Sequence, residues 1–119
     1  MIDKEIVTNG AKGTILRVSG VIDKAQPAQD LFTFEELNSP TGLRLDSVVF
    51  ALQEKMGVIL WWKTPEGGIL MMPLESRGRL DWEAVGALQS PNGASGIMMS
   101  TFKVDEPKVF TFIMDFTKR

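Results

Sequence analysis

The chain is 119 residues long, 44% hydrophobic and 24% charged, with a net charge of −2, which suits one folded domain with a core of its own and excludes disorder. Cysteine and histidine are both absent, so a disulfide scaffold is excluded and the commonest metal ligand and general base are missing. A calculated pI near 5.1, with no cluster of lysines or arginines, leaves no expectation of a nucleic-acid partner held through its phosphates.

Taken in chain order, the N-terminal MIDKEIVTNG is too polar for a signal peptide, and no apolar run approaches membrane-spanning length. The expectation is a soluble cytoplasmic product with no membrane partner. Turn signals then recur at short intervals: Asn9-Gly10, Gly13, Gly20, Ser39-Pro40-Thr41-Gly42, Pro65-Glu66-Gly67-Gly68, Pro91-Asn92-Gly93 and Asp105-Glu106-Pro107. Between them lie runs rich in β-branched and aromatic residues, a spacing that predicts an all-β protein. Strands are expected near 4–8, 14–23, 31–35, 45–53, 58–63, 69–75, 97–104 and 109–116. The fold class is an antiparallel β-sandwich or open barrel of about eight strands in a single domain, 1–119.

The first forty residues hold no tryptophan, and AKGTILRVSGVIDKAQPAQD within them reads as one strand plus a loose connector. They suit either an arm on the body or on a neighbouring subunit, able to add a strand to a partner's sheet, or two ordinary edge strands with a long loop. The second reading is favoured, with the β body at 43–116. DSVVFALQEKMG, from Asp46 to Gly57, can be written as a short helix near 46–56, capped by Asp46 or Ser47 and ended by Gly57. The Val48-Val49-Phe50 run lowers helix propensity, so a strand leading into a hairpin turn is preferred.

GVILWWKTPEGGILMMPLES, residues 57–76, pairs two adjacent tryptophans with two adjacent methionines across a turn. Strand neighbours point to opposite faces, so Trp61 and Trp62 cannot both enter one core. With Thr64–Gly68 as the loop, Lys63 pairs with Ile69. Val58, Leu60, Trp62, Leu70, Met72 and Leu74 then form the core face. Ile59, Trp61, Lys63, Ile69, Met71, Pro73 and Glu75 form the other, apolar in its middle and charged at its ends. Proline cannot donate to a ladder, so Pro73 suggests a sheet edge. Ile59, Trp61, Ile69 and Met71 are the expected protein-interface residues, with Lys63 and Glu75 as polar rim.

A second hairpin is expected at the C-terminus, with Asp105–Lys108 as the turn. Ile97, Met99, Phe110, Phe112, Met114 and Phe116 share one face, and Met98, Phe102, Val104, Val109 and Ile113 share the other. Both are apolar, unlike the usual inward and outward alternation of antiparallel strands. Either the arm and Leu80, Trp82, Val85 and Leu88 of the 76–96 connection cover the second faces, or another protein does.

Chemistry is harder to find. No Gly-x-Ser-x-Gly elbow, phosphate-binding glycine loop or calcium loop is present. Glu35-Glu36, Asp81 with Glu83, and Asp105-Glu106 are close acids of the kind glycoside hydrolysis uses, but adjacent acids are more often solvated. No enzymatic activity, metal or cofactor is expected. The alternative is a carbohydrate-binding module stacking sugar on Trp61 and Trp82 beside Lys63 and Asp81, although the chain has no tyrosine.

In its size, polar N-terminal arm, missing cysteine and histidine, and two-sided strands GVILWWK and PKVFTFIMDF, the chain resembles small virion proteins of tailed bacteriophages. Capsid decoration proteins and head-to-tail or tail components are the kinds it is similar to. The resemblance covers roughly residues 43–116 in general character and carries over no binding residue. It implies a virion location, many copies on a larger shell or tube as a homo-oligomer or by attachment to other virion proteins, and no catalysis.

Overall fold

The computed structural model describes residues 1–82 and 88–119, and these form ten strands and no helix. In order they are β1 (Ile2–Asn9), β2 (Gly13–Ile22), β3 (Gln29–Thr33), β4 (Leu43–Leu52), β5 (Gly57–Thr64), β6 (Gly67–Glu75), β7 (Arg77–Asp81), β8 (Leu88–Gln89), β9 (Gly96–Phe102) and β10 (Lys108–Lys118). All pairings are antiparallel, in two sheets. The larger runs β1-β2-β10-β4-β7, with β8 also on β4, and the smaller runs β3-β9-β5-β6. The fold is a β-sandwich.

All eight expected strands are present, and the 46–57 segment is strand β4 and its turn. Lys55 closes that turn at φ 64°. Strands β7 and β8 were not foreseen, because Arg77–Asp81 has no apolar alternation to reveal it. Of the first forty residues, β1 is an edge strand, β2 lies inside the larger sheet and β3 is an edge of the smaller one. The Met1 amine donates to the Val21 carbonyl, and Lys4 Nζ reaches across to the Leu31 carbonyl at 3.0 Å. The segment is thus tied to its own body.

One correction concerns the C-terminal hairpin. β9 and β10 do not pair: β9 belongs to the smaller sheet and β10 to the larger, so residues 103–107 cross from one to the other. The expected inward set is nevertheless right, because Ile97 and Met99 meet Phe110, Phe112, Met114 and Phe116 across the core. Val104 departs from the expected outer set and is buried at the crossing. Period-two alternation says which side chains point inward; it cannot say which strand is the neighbour.

The core fills the space between the sheets. Trp62, 2% exposed, sits between Phe34 and Phe116, each edge-to-face at 6.2 Å. Such aromatic pairs add about 0.5–1.5 kcal/mol each beyond burial. Trp82 and Leu88 pack partly buried against the same core, while Leu80 on β7 is 39% exposed. Val85 lies outside the described residues, as does Glu83. Lys108 is buried at one end of the sandwich, where its Nζ donates to the Glu54 carbonyl at 3.0 Å and to Glu106 Oε1 at 3.1 Å. It joins the β4–β5 turn to the β9–β10 crossing.

The sheet edges carry groups that discourage further strand pairing. β1 presents Asp3, Lys4 and Glu5, β7 presents Arg77 and Arg79, and β6 contains Pro73 and a bulge. Among the described residues four bulges interrupt the ladders, at Val7, Leu31, Asp46 and Met71. Those at Leu31 and Met71 have a clear result. An extra residue lets two successive side chains turn inward, so Leu31 and Phe32 are both buried, as are Met71 and Met72.

Two predictions follow from the burial pattern and from the Asp46 bulge. Phe112 is fully buried and its neighbour Ile113 is 38% exposed, so Phe112→Ala should cost about 3–5 kcal/mol in urea denaturation and Ile113→Ala less than about 1 kcal/mol. Partial burial, and after it the nearby Asp46 carboxylate, push the Asp115 carboxyl above its ordinary value, with Arg79 pulling the other way. An acid whose folded pKa is raised stabilises the fold while protonated and loses that contribution as pH rises through the folded value. Asp115→Asn should therefore melt above the parent at pH 7, the difference closing as pH falls through the ordinary carboxylate range. A variant that is less stable than the parent at pH 7 would contradict the assignment.

Candidate contact surface on the smaller sheet

Two strands flank β5. Its register to β9 pairs Gly57 with Phe102, Ile59 with Ser100, Trp61 with Met98 and Lys63 with Gly96. To β6 it pairs Gly57 with Glu75, Ile59 with Pro73, Trp61 with Leu70 and Lys63 with Gly68. These residues share the outer face, because Val58, Leu60 and Trp62 alternate with them and are buried. On the far side of β9, Asp30 of β3 pairs with Met98 and extends the Trp61 row.

The face is flat for a local reason. Three glycines lie on it, Gly57, Gly68 and Gly96, and the first two are each covered by an aromatic ring from the neighbouring strand. A Cβ on Gly57 would fall inside the Phe102 ring, and one on Gly68 would lie 3.3 Å from Trp61 Cε3 and 3.1 Å from Met98 Cε. Glycine in a strand leaves backbone uncovered, and a cross-strand aromatic restores the lost packing. The indole is held down from its other end as well, since Trp61 Nε1 donates to Ser100 Oγ at 2.9 Å. Trp61 therefore lies across the sheet half-buried, one side on its own chain and the other outward.

Around it are Leu70, 57% exposed, and the half-buried Ile59 and Met98. Charged pairs stand at the two ends. Lys63 Nζ meets Asp30 Oδ2 at 2.8 Å, and Lys103 Nζ meets Glu75 Oε1 at 3.5 Å. Lys103 also lies 5.6 Å from the Phe102 ring centre. Both pairs are substantially exposed, and surface pairs of this kind add about 0–1 kcal/mol to the fold.

Of the expected interface residues, the structure brings Ile59, Trp61, Lys63 and Glu75 together on this face. Ile69 and Met71 need correction. The connection is a two-residue turn, Pro65-Glu66, with Thr64 paired to Gly67 and its Oγ1 donating to the Gly67 carbonyl at 2.9 Å. The expected register holds from Gly57 to Leu60 and is one residue out from Trp61 onward. Met71, the bulge residue, absorbs that difference and is buried at 8% exposure. Ile69 falls opposite Trp62, on the side facing the other sheet, yet stays 46% exposed at the β6 edge. Leu70 takes its place on the outer face. A tight Pro-Glu turn was the available signal, because it starts the ladder one residue earlier than a five-residue loop does.

Trp61 and Trp82 do not build one platform. The first lies on the outer face of the smaller sheet, while the second follows β7 of the larger sheet and packs against the core. Among the described residues no group of three or more acidic side chains is placed to hold a metal ion. Three of the close acids have partners: Glu36 and Thr33 exchange side-chain and backbone hydrogen bonds, Glu106 meets Lys108, and Asp81 meets Arg79. No helix among the described residues is long and apolar enough to cross a membrane.

No family model matches the chain, and no curated protein matches it. Solved structures do, among them a cupin domain from Bordetella pertussis Tohama I, 11% identical, with a TM-score of 0.37 over 96% of this chain and 92% of that one.

The seating of the indole can be checked directly. Gly68→Val should lift Trp61 from the sheet and raise acrylamide quenching of tryptophan fluorescence, and Ser100→Ala should act in the same direction. Each should shift stability by less than about 1 kcal/mol. Unchanged quenching in both would mean that neither contact holds the ring.

Proposed function

We propose that this protein is a non-enzymatic structural component of a larger protein assembly, of the kind represented by capsid-decoration or head-to-tail components of tailed-phage virions. The observation that carries the reading is the outer face of β3-β9-β5-β6. It presents a flattened indole, Leu70, Ile59 and Met98 between two charged ends, and nothing in the described chain covers it. Interface cores favour tryptophan and methionine with a polar rim, and solitary proteins rarely leave such a patch open. The guarded edges direct association toward the face and away from strand addition. A sugar-binding module has weaker support, because the second tryptophan is not on this surface.

Substitution separates the two tryptophans. Trp62→Ala removes a core ring and should cost about 3–5 kcal/mol, whereas Trp61→Ala should cost less than about 2 kcal/mol. The same Trp61→Ala should weaken assembly with proteins encoded beside this chain, as read by light scattering of the mixture. Quenching of the parent's fluorescence by oligosaccharide, lost in Trp61→Ala while mixtures with other proteins show no added mass, would instead favour the carbohydrate reading.

A further inference from the structure

Cysteine is absent, so the seven methionines hold all the sulfur of the chain, and the fold treats them unequally. Met56, Met71, Met72, Met99 and Met114 are buried in the core, and Met1 is exposed at the N-terminus. Met98 alone among the internal six stands half-buried at the surface. Two adjacent pairs show how the selection arises. The β6 bulge turns both Met71 and Met72 inward, whereas regular alternation in β9 sends Met99 inward and Met98 to the outer face beside Trp61. Resting on the reading of that face as a contact surface, we infer that Met98 is a redox-sensitive modification site. Its oxidation to the sulfoxide by a hydroperoxide unseats Trp61 and weakens the contact.

The surroundings of Met98 couple it to the indole. It pairs with Trp61 on one side and with Asp30 on the other. Its methyl and the indole share the space above Gly68, where a Cβ would come within 3.1 Å of Met98 Cε and 3.3 Å of Trp61 Cε3. On the far flank Asp30 accepts from Lys63 Nζ at 2.8 Å, and both side chains are substantially exposed, so that flank of Met98 borders water. A thioether is apolar and polarisable and packs well against a ring. A sulfoxide is polar and chiral, and its oxygen needs a hydrogen-bond donor. The indole cannot supply one, because Trp61 Nε1 already donates to Ser100 Oγ. The oxygen therefore turns to water, the methyl leaves Gly68, and the ring loses one of its rests.

The chemical step is a two-electron oxygen transfer. A sulfur lone pair attacks one oxygen of hydrogen peroxide, the S–O bond forms, and the O–O bond breaks. The proton left on the transferred oxygen passes to the departing hydroxide, which leaves as water. Sulfur is oxidised by two electrons and the peroxide is reduced by the same two. The change is reversible, because dedicated reductases return each sulfoxide epimer to the thioether. A methionine sealed in the core meets the oxidant only when the structure opens locally, so the order of reaction follows burial.

Timed exposure of the isolated full chain to hydrogen peroxide, followed by peptide mass spectrometry, tests the site. Met98 should gain one oxygen about tenfold faster than Met99 and the other buried methionines, with Met1 as the exposed reference. Acrylamide quenching of tryptophan fluorescence should rise as Met98 oxidises, and in Met98→Leu, an apolar replacement of similar volume, peroxide should leave it unchanged. A buried methionine that oxidises as fast as Met98 overturns the site. Oxidation of Met98 with no change in quenching overturns its hold on the indole. Association with proteins encoded beside this chain, read by light scattering, should weaken about tenfold when the parent is oxidised and not when Met98→Leu is treated. If Trp61→Ala weakens that association and oxidation does not, only the redox control falls. If Met98 oxidises and quenching rises while Trp61→Ala and oxidation both leave every association intact, the contact-surface reading falls and the modification site stands.

Discussion

Trp62 meets Phe34 and Phe116 edge-to-face between the two sheets, and because strand neighbours point to opposite sides, that contact sends Trp61 outward. Much of the exterior of the smaller sheet follows from this one placement. An indole of this size carries about 150–250 Å² of surface, too much to stand upright in water without support. The chain provides it with the bare backbone of Gly68, the methyl of Met98 and the hydroxyl of Ser100. Phe102 over Gly57 repeats the arrangement one strand away. The same residues that make the ring tolerable on the monomer also make the face level.

Bulges reconcile the two ends of each edge strand of that sheet. In β6 the tight turn at Pro65-Glu66 and the buried Met72 and Leu74 demand registers that differ by one residue. Met71 takes up the difference and enters the core. In β3 the residue Leu31 does the same beside Phe32. Both devices also twist the strand edge and make it a poor template for another strand. The smaller sheet thus offers guarded edges and an apolar outer face.

The larger sheet presents a different exterior. Val21, Val109, Val49 and Ile113 are exposed there, but they alternate with Arg17, Thr111 and Asp115, and Arg17 meets Glu5 at 2.9 Å. They form two cross-strand pairs, Val21 with Val109 and Val49 with Ile113, and small aliphatic groups of this sort are ordinary on a protein surface. No flattened ring or glycine seat organises them. The asymmetry between the two exteriors is the physical ground for proposing a contact role for the smaller sheet.

Residue periodicity and turn chemistry, both written in the chain, were enough to establish an all-β fold, sandwich or open barrel, the position of eight strands and the inward set Phe110, Phe112, Met114 and Phe116. They also separated Trp61 from Trp62, since alternation holds in any strand whatever its neighbour. Beyond half of the β5–β6 register, they left the relations between strands open. β9 and β10 read as a hairpin and instead belong to different sheets. Met71 read as surface and is buried by a bulge. Leu70, Asp30, Gly57 and Gly68 join the contact face only because other strands lie beside them. Alternation is a property of one strand, but register, bulge and sheet membership are set by how several strands share a single core, and only the folded chain decides that.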